Sequence, residues 1–152
     1  KDHSKDFLVV GGMGHANQIA LGLSLSQIKK RIICLDGDGA IIMHMGSMPL
    51  IGTSTSKNLV HFVLNNGAHD SVGGQKTAAL EIDLTLIAKG SGYQHVISVD
   101  NENDLTNQLL KINQLEGPIF FEIKVQKGFR LEVGRPKETP LENKIKFMSN
   151  FN

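Results

Sequence analysis

Residues 58–66 read NLVHFVLNN. The run is apolar at successive positions rather than alternating, the pattern of a parallel strand covered on both faces. It stops on two carboxamides, Asn65 and Asn66, followed by Gly67. A turn explains that ending, since Asn and Gly bend a chain at low cost. Upstream runs end in a related way. RIICLDGD (31–38) leads into Asp36-Gly37-Asp38-Gly39, and FLVVG (7–11) into Gly11-Gly12-Met13-Gly14. HVISVD (95–100) and PIFFEIKV (118–125) complete the expected strands.

Helical periodicity fills the gaps at 15–29, 45–55, 82–89 and 102–115, the last capped by Asp100 or Asn101. A charged tail from Gly128, with Pro136 and Pro140, leads to a terminal amphipathic helix at 141–147. Strand–helix alternation implies right-handed crossovers and an α/β class: a doubly wound, mostly parallel sheet with helices on both faces.

The 152 residues suit one domain, 1–152, with a core of its own. A formal net charge of +1 and few aromatics argue against a nucleic-acid partner. No apolar run approaches the roughly 20 residues of a membrane helix. Lys1-Asp2-His3-Ser4-Lys5 is no signal peptide, and without an initial Met the chain reads as a piece of something longer. The single cysteine, Cys34, excludes an internal disulfide and fits a reducing, cytoplasmic compartment. Inside RIICLD it is expected as a core thiol.

Ligands of such sheets bind beyond the carboxyl ends of the strands. Here three consecutive ends offer glycine turns with oxygen-bearing side chains. The stretch from Phe7 to Asp36 imitates a dinucleotide-binding unit in which Asp36 would bind a ribose. Its spacing is imperfect, Gly12-x-Gly14-x-x-Asn17, and it leaves Gly37-Asp38-Gly39 unused. No phosphate-binding P-loop, nucleophile elbow or zinc-type His/Cys spacing is present. Asp38 with Asn65 or Asn66 and the carbonyl of Ala68 would instead form a hard oxygen set suited to Mg²⁺. One carboxylate leaves a dication under-neutralised, so an anionic ligand such as a diphosphate would complete it. Glycines let backbone N–H groups approach that ligand.

Gly37-Asp38-Gly39, then residues 40–64, then Asn65-Asn66 resembles the diphosphate motif of thiamine diphosphate-dependent enzymes. The resemblance implies Mg²⁺ held by Asp38, Asn66 and the Ala68 carbonyl. It implies backbone at Gly37, Gly39, Ala40 and Ser71 facing the diphosphate. Gly11, in one turn with Gly12, would contact the pyrimidine amino group, and Met13 would wedge the cofactor into a bent form. GGMGHANQIALG, DGDGAIIMHMGS, NNGAHDSVGGQ and GRPKETPLENKIKFM are similar to 2-keto acid decarboxylases whose substrates carry an anionic tail, phosphonopyruvate decarboxylases first and sulfopyruvate decarboxylases beside them. The implied reaction converts phosphonopyruvate to phosphonoacetaldehyde. In the sulfopyruvate enzymes the diphosphate-binding part can be a separate chain.

Two departures stand out. Val72 occupies the position six residues after Asn66 where some relatives carry a Glu. The Glu that activates the pyrimidine lies in another domain of the family, so a pyrimidine-binding domain of the same or another chain, and a homo-oligomer, are implied. His15, His44 and His69 are candidates for shuttling protons or contacting a phosphonate, His69 first among them. Arg130 and Arg135, and more weakly Lys76, are candidates for the anionic tail. AIIMHMGSMPL (40–50) is a candidate docking surface or part of the core. A dinucleotide-binding domain and a non-catalytic cofactor-binding module remain as alternatives.

Overall fold

The computed structural model describes residues 3–128, 132, 134 and 136–151. In chain order the elements are α1 (Ala16–Ser26), β1 (Ile32–Gly37), α2 (Asp38–Met43), α3 (Ser47–Gly52), β2 (Leu59–Asn65), a small hairpin of β3 (Ala68–His69) and β4 (Gln75–Lys76), α4 (Leu84–Gly90), β5 (His95–Val99), α5 (Glu102–Ile112), β6 (Ile119–Lys124) and α6 (Pro140–Met148). Four strands form a parallel sheet in the order β1-β2-β6-β5.

Strand register sorts the side chains. Cys34, His61 and Phe120 are lateral neighbours on one face, and Leu35, Phe62 and Phe121 on the other. The first face packs against Ala20 and Leu21 of α1, Ile41 of α2, Met48 and Ile51 of α3, and Leu84 and Ala88 of α4. The second, with Val60, Phe62, Ile119 and Phe121, packs against Leu105 and Ile112 of α5. Continuous apolar strands between two helical layers are thus the expected doubly wound α/β arrangement.

Helix starts follow their caps. Asn101 accepts from the Asp104 backbone N–H at 2.9 Å, so Asn101 rather than Asp100 caps α5. Asp83 accepts from the Thr85 hydroxyl and from the N–H groups of Leu86 and Thr85 at the start of α4, and these bonds, the hydroxyl's first, hold its carboxyl below the usual range. Thr139 and Glu142 form a reciprocal capping box around Pro140.

Two expectations are corrected. Residues 7–11 do not join the sheet; among the described residues β1 pairs on one edge only. Their backbone is satisfied elsewhere. Leu8 N donates to Asn143 Oδ1 at 3.0 Å, and Asn143 Nδ2 donates to Asp6 O at 3.3 Å. Phe7 stacks on Phe147 of α6. A buried Asn on the terminal helix thus replaces a strand partner. The helix expected at 45–55 is present but shorter, as α3 at Ser47–Gly52, and it is preceded by a short helix that was not expected, α2, which Asp38 opens and which ends before Met45-Gly46.

Candidate functional site

Asp38 is the first residue of α2, directly beyond β1, and is 1% exposed. The Thr77 hydroxyl donates to its Oδ2 at 2.5 Å. Among the described residues no cationic side chain pairs with it. A buried carboxylate without a countercharge is costly unless a cation joins it.

The Asn65-Asn66 turn is built from below. Asn65 Nδ2 donates to Glu122 Oε1 of β6 at 2.7 Å, while Asn65 Oδ1 accepts from Gly67 N at 3.2 Å. Glu122 is itself buried and takes a second bond from Ser98 Oγ of β5 at 2.6 Å. Asn65 is therefore a structural tie. Asn66 is the more exposed of the pair and reaches past the strand end, its Oδ1 accepting from Ala68 N at 3.0 Å and its Nδ2 donating to Asp70 Oδ2 at 2.9 Å.

The glycines bring the turns together. A Cβ on Gly39 would lie 2.3 Å from His69 Nδ1, so the His69 ring covers the start of α2 and only glycine admits it there. A Cβ on Gly14 would lie 2.8 Å from Ala40 O, so the turn carrying Gly11, Gly12 and Met13 rests on the same helix. The structure thereby collects Gly37, Asp38, Gly39, Ala40 and His69 with the 11–14 turn. Ser71 lies in an exposed helical turn, Asp70–Val72, next to His69. Gly74 N donates to His69 O, and Lys127 Nζ and Gly128 N tie this loop to the segment after β6 through Gly74 O and Asp70 Oδ2.

Other candidates fall elsewhere. Lys76 pairs with Glu81 on the surface. Arg130 and Arg135 lie outside the described residues. In the 40–50 stretch Ile41 and Met48 are core, while Met43 and Leu50 are exposed, so a docking role is left only to its outer side. Asp36 does not face a ribose. It is buried, with its Oδ2 at 3.4 Å from His61 Nε2 and 3.5 Å from Asn17 Nδ2. Because a carboxylate only accepts, Nε2 carries the His61 proton, and Tyr93 OH contacts Nδ1 at 2.9 Å. Cys34 adjoins this pair, and burial pushes its thiol up to about 12, which keeps it protonated and a poor metal ligand. Thr77, Asp70 and Glu122, which shape the site, were not found from sequence. Thr77 and Glu122 occupy no motif position and meet their partners only through the fold, while Asp70 stands inside NNGAHDSVGGQ, four residues from its partner Asn66.

The family model for the thiamine pyrophosphate enzyme C-terminal TPP binding domain matches residues 3–123. The chain belongs to this family. Phosphonopyruvate decarboxylase from Streptomyces viridochromogenes is 37% identical over 141 residues, which is 93% of this chain and 35% of that protein. The beta subunit of sulfopyruvate decarboxylase from Methanothermobacter thermautotrophicus is 34% identical over 128 residues, 84% of this chain and 66% of the subunit. The chain thus spans about a third of the length of the phosphonopyruvate decarboxylases it matches, 35% in each of two. The X-ray structure of an enzyme from Mycobacterium smegmatis described as thiamin diphosphate-dependent superposes with a TM-score of 0.63 at 22% identity, over 78% of this chain and 23% of that one. That likeness carries the fold. Among the described residues no helix is long and apolar enough to cross a membrane.

The residues present suit the family's cofactor. Oxygen donors at Asp38, Asn66 and Ala68 stand at or just beyond adjacent strand ends, and the one carboxylate among them is buried without a countercharge among the described residues. Such a set takes a hard dication in preference to a thiophilic one.

Proposed function

We propose that this chain is the diphosphate- and Mg²⁺-binding domain of a thiamine diphosphate-dependent 2-keto acid decarboxylase, acting on phosphonopyruvate to give phosphonoacetaldehyde. The observation that carries the reading is Asp38, a buried acid without a cationic partner among the described residues, beside the glycine turns in a chain of this family. Asp38, Asn66 and the Ala68 carbonyl hold the metal. Backbone at Gly37, Gly39, Ala40 and Ser71 receives the diphosphate. Gly11 and Gly12 take the pyrimidine side, with Met13 as the wedge. When bound, the cofactor supplies the electron sink that decarboxylation needs. The protein's part is to fix it, exclude water and move protons; the contact of the His69 ring with Gly39 supports His69 as the proton carrier.

A pyrimidine-binding domain, on this chain or another, completes the site, and the working enzyme is a cytoplasmic oligomer. Coverage of a sulfopyruvate decarboxylase beta subunit to 66% of its length favours a second reading, a two-chain enzyme acting on sulfopyruvate. The test is Asp38→Ala in the full enzyme, followed by calorimetry with thiamine diphosphate and Mg²⁺. Loss of Mg²⁺-dependent binding is expected; unchanged binding refutes the metal assignment. Comparing turnover of phosphonopyruvate with that of sulfopyruvate separates the two substrates.

A further inference from the structure

Between α1 and the α2–α3 connection lies an open cavity of about 260 Å³, with Gly14, His15, Gln18, His44 and Ser47 in its wall. It is near the lower end of the size range of small-molecule sites. Its wall begins one residue after Met13. The rings of His15 and His44 face each other with centroids 4.3 Å apart and an interplanar angle of 57°. Both residues are exposed, so their free nitrogens are reachable from solvent.

The chemistry of this wall selects a tetrahedral oxyanion. His15 Nδ1 lies 3.2 Å from Met13 O, and a carbonyl only accepts, so that nitrogen carries the proton. His15 Nε2 then either takes the proton of a singly charged oxyanion or, protonated, donates to a doubly charged one. His44 adds a second imidazole of the same kind. No carboxylate or thiol is in the wall, so nothing repels an anion and no third soft or acidic ligand favours a metal. Gln18 Nε2 is spent on Ser47 O at 3.1 Å, which braces α1 against α3. The Ser47 hydroxyl is buried and has no hydrogen-bond partner among the described residues, leaving one donor unused in a residue of the cavity wall. The His44 ring lies against Gly14, just before α1, so closely that a Cβ there would lie 2.4 Å from His44 Cδ2.

We infer that His15 and His44, with Ser47 behind them, bind the anionic tail of the 2-keto acid and so set substrate specificity. The identity of the acid rests on the reaction proposed above; the anion site does not. Arg130 and Arg135 are then not required for tail recognition.

The experiment uses the full enzyme loaded with thiamine diphosphate and Mg²⁺, with His44→Gln and His15→Gln as separate variants and cofactor affinity as the folding control. The ratio of kcat/KM for phosphonopyruvate to that for pyruvate, which lacks a charged tail, should fall roughly tenfold or more in each, as expected for one lost hydrogen bond to a charged oxygen. The loss should lie in KM. An unchanged ratio, or an equal loss on both acids, overturns the inference. Calorimetry with phosphonoacetate needs no turnover. Binding that weakens about tenfold in His44→Gln supports the site even if the wild type decarboxylates neither tailed acid, in which case only the reaction reading fails. Phosphonoacetate affinity equal in wild type and both variants sinks the site whatever the reaction.

Discussion

The two faces of the sheet are built on different principles. The face under α1, α3 and α4 buries Asp36, His61, Asn65 and Glu122 among its apolar residues. The face under α5 has an apolar buried cluster, and over β1 it is open, with Ile33 60% and Leu35 68% exposed. Buried polar groups cost stability unless every one is satisfied, but a satisfied network fixes geometry in a way that apolar contacts do not. On the polar face Glu122 fixes Asn65, and Asn65 fixes the turn that presents Asn66. The apolar face supplies cohesion and, over β1, uncovered surface. Precision at the strand ends and stability of the sheet thus come from opposite sides of the same four strands.

The sharpest way to break this division is on the apolar side. Phe121→Ala should cost about 3–5 kcal/mol in chemical denaturation, the usual price of emptying a buried aromatic site. Cofactor affinity, measured where the variant is still folded, should stay near that of the parent. A large fall in affinity at full folding would show that the faces are not separable. Next comes Glu122→Ala, which takes the main partner of Asn65 Nδ2 away in the interior and should cost about 1–3 kcal/mol. Here Mg²⁺-dependent cofactor affinity should fall as well, because the Gly67 turn loses its brace. If stability alone changes, Glu122 is only a packing residue.

Alkaline pH probes the polar face without mutation. Burial raises the Cys34 thiol from 9.0 to about 12. The folded state therefore keeps a proton that the unfolded chain releases. The contribution is full below about pH 9 and is lost as pH climbs toward about 12, at roughly 1.4 kcal/mol per pH unit. Tyr93, also raised by burial, adds a loss of the same sign above 10.0. Urea midpoints should fall across this range, and Cys34→Ala should flatten the first part of the decline. A midpoint independent of pH up to about 10 would contradict the burial of the thiol. The smallest effect is expected for Leu35→Lys on the open face, within about 0.5 kcal/mol. Sedimentation should nevertheless show weaker self-association if that patch is a contact surface.

These contrasts also explain what was legible in the sequence. The strands at 58–66 and 118–125 were visible because burial on both faces leaves an unbroken apolar run, and those at 31–38 and 95–100 because their runs are also largely apolar, although one face of β1 is open. The glycine turns at 37–39 and 65–67 were visible because their residue types are restricted. FLVVG was misread because the same apolar run also suits a segment laid against a helix, and its fate was decided by Asn143, more than 130 residues away. Glu122 was hidden for a related reason. Inside PIFFEIKV it looks like one polar residue on a strand, and nothing local reveals that Asn65 and Ser98 converge on it. The paired rings of His15 and His44 likewise come from separate helical segments.

The position of β6 sets the order in which the molecule can assemble. It is last of the sheet strands in sequence yet lies between β2 and β5, and until it enters, the β1–β2 pair and β5 have no shared ladder. A chain emerging from the ribosome can form local helices early, but this closure waits on residues 119–124, a contact of long sequence separation and therefore slow. Glu122 arrives with that strand, and the tether from Gly128 to Asp70 can form only after it. The Asn65–Asn66 turn therefore acquires its final shape at the end of folding, so a nascent or truncated chain would hold helices and strand pairs well before it could hold a ligand.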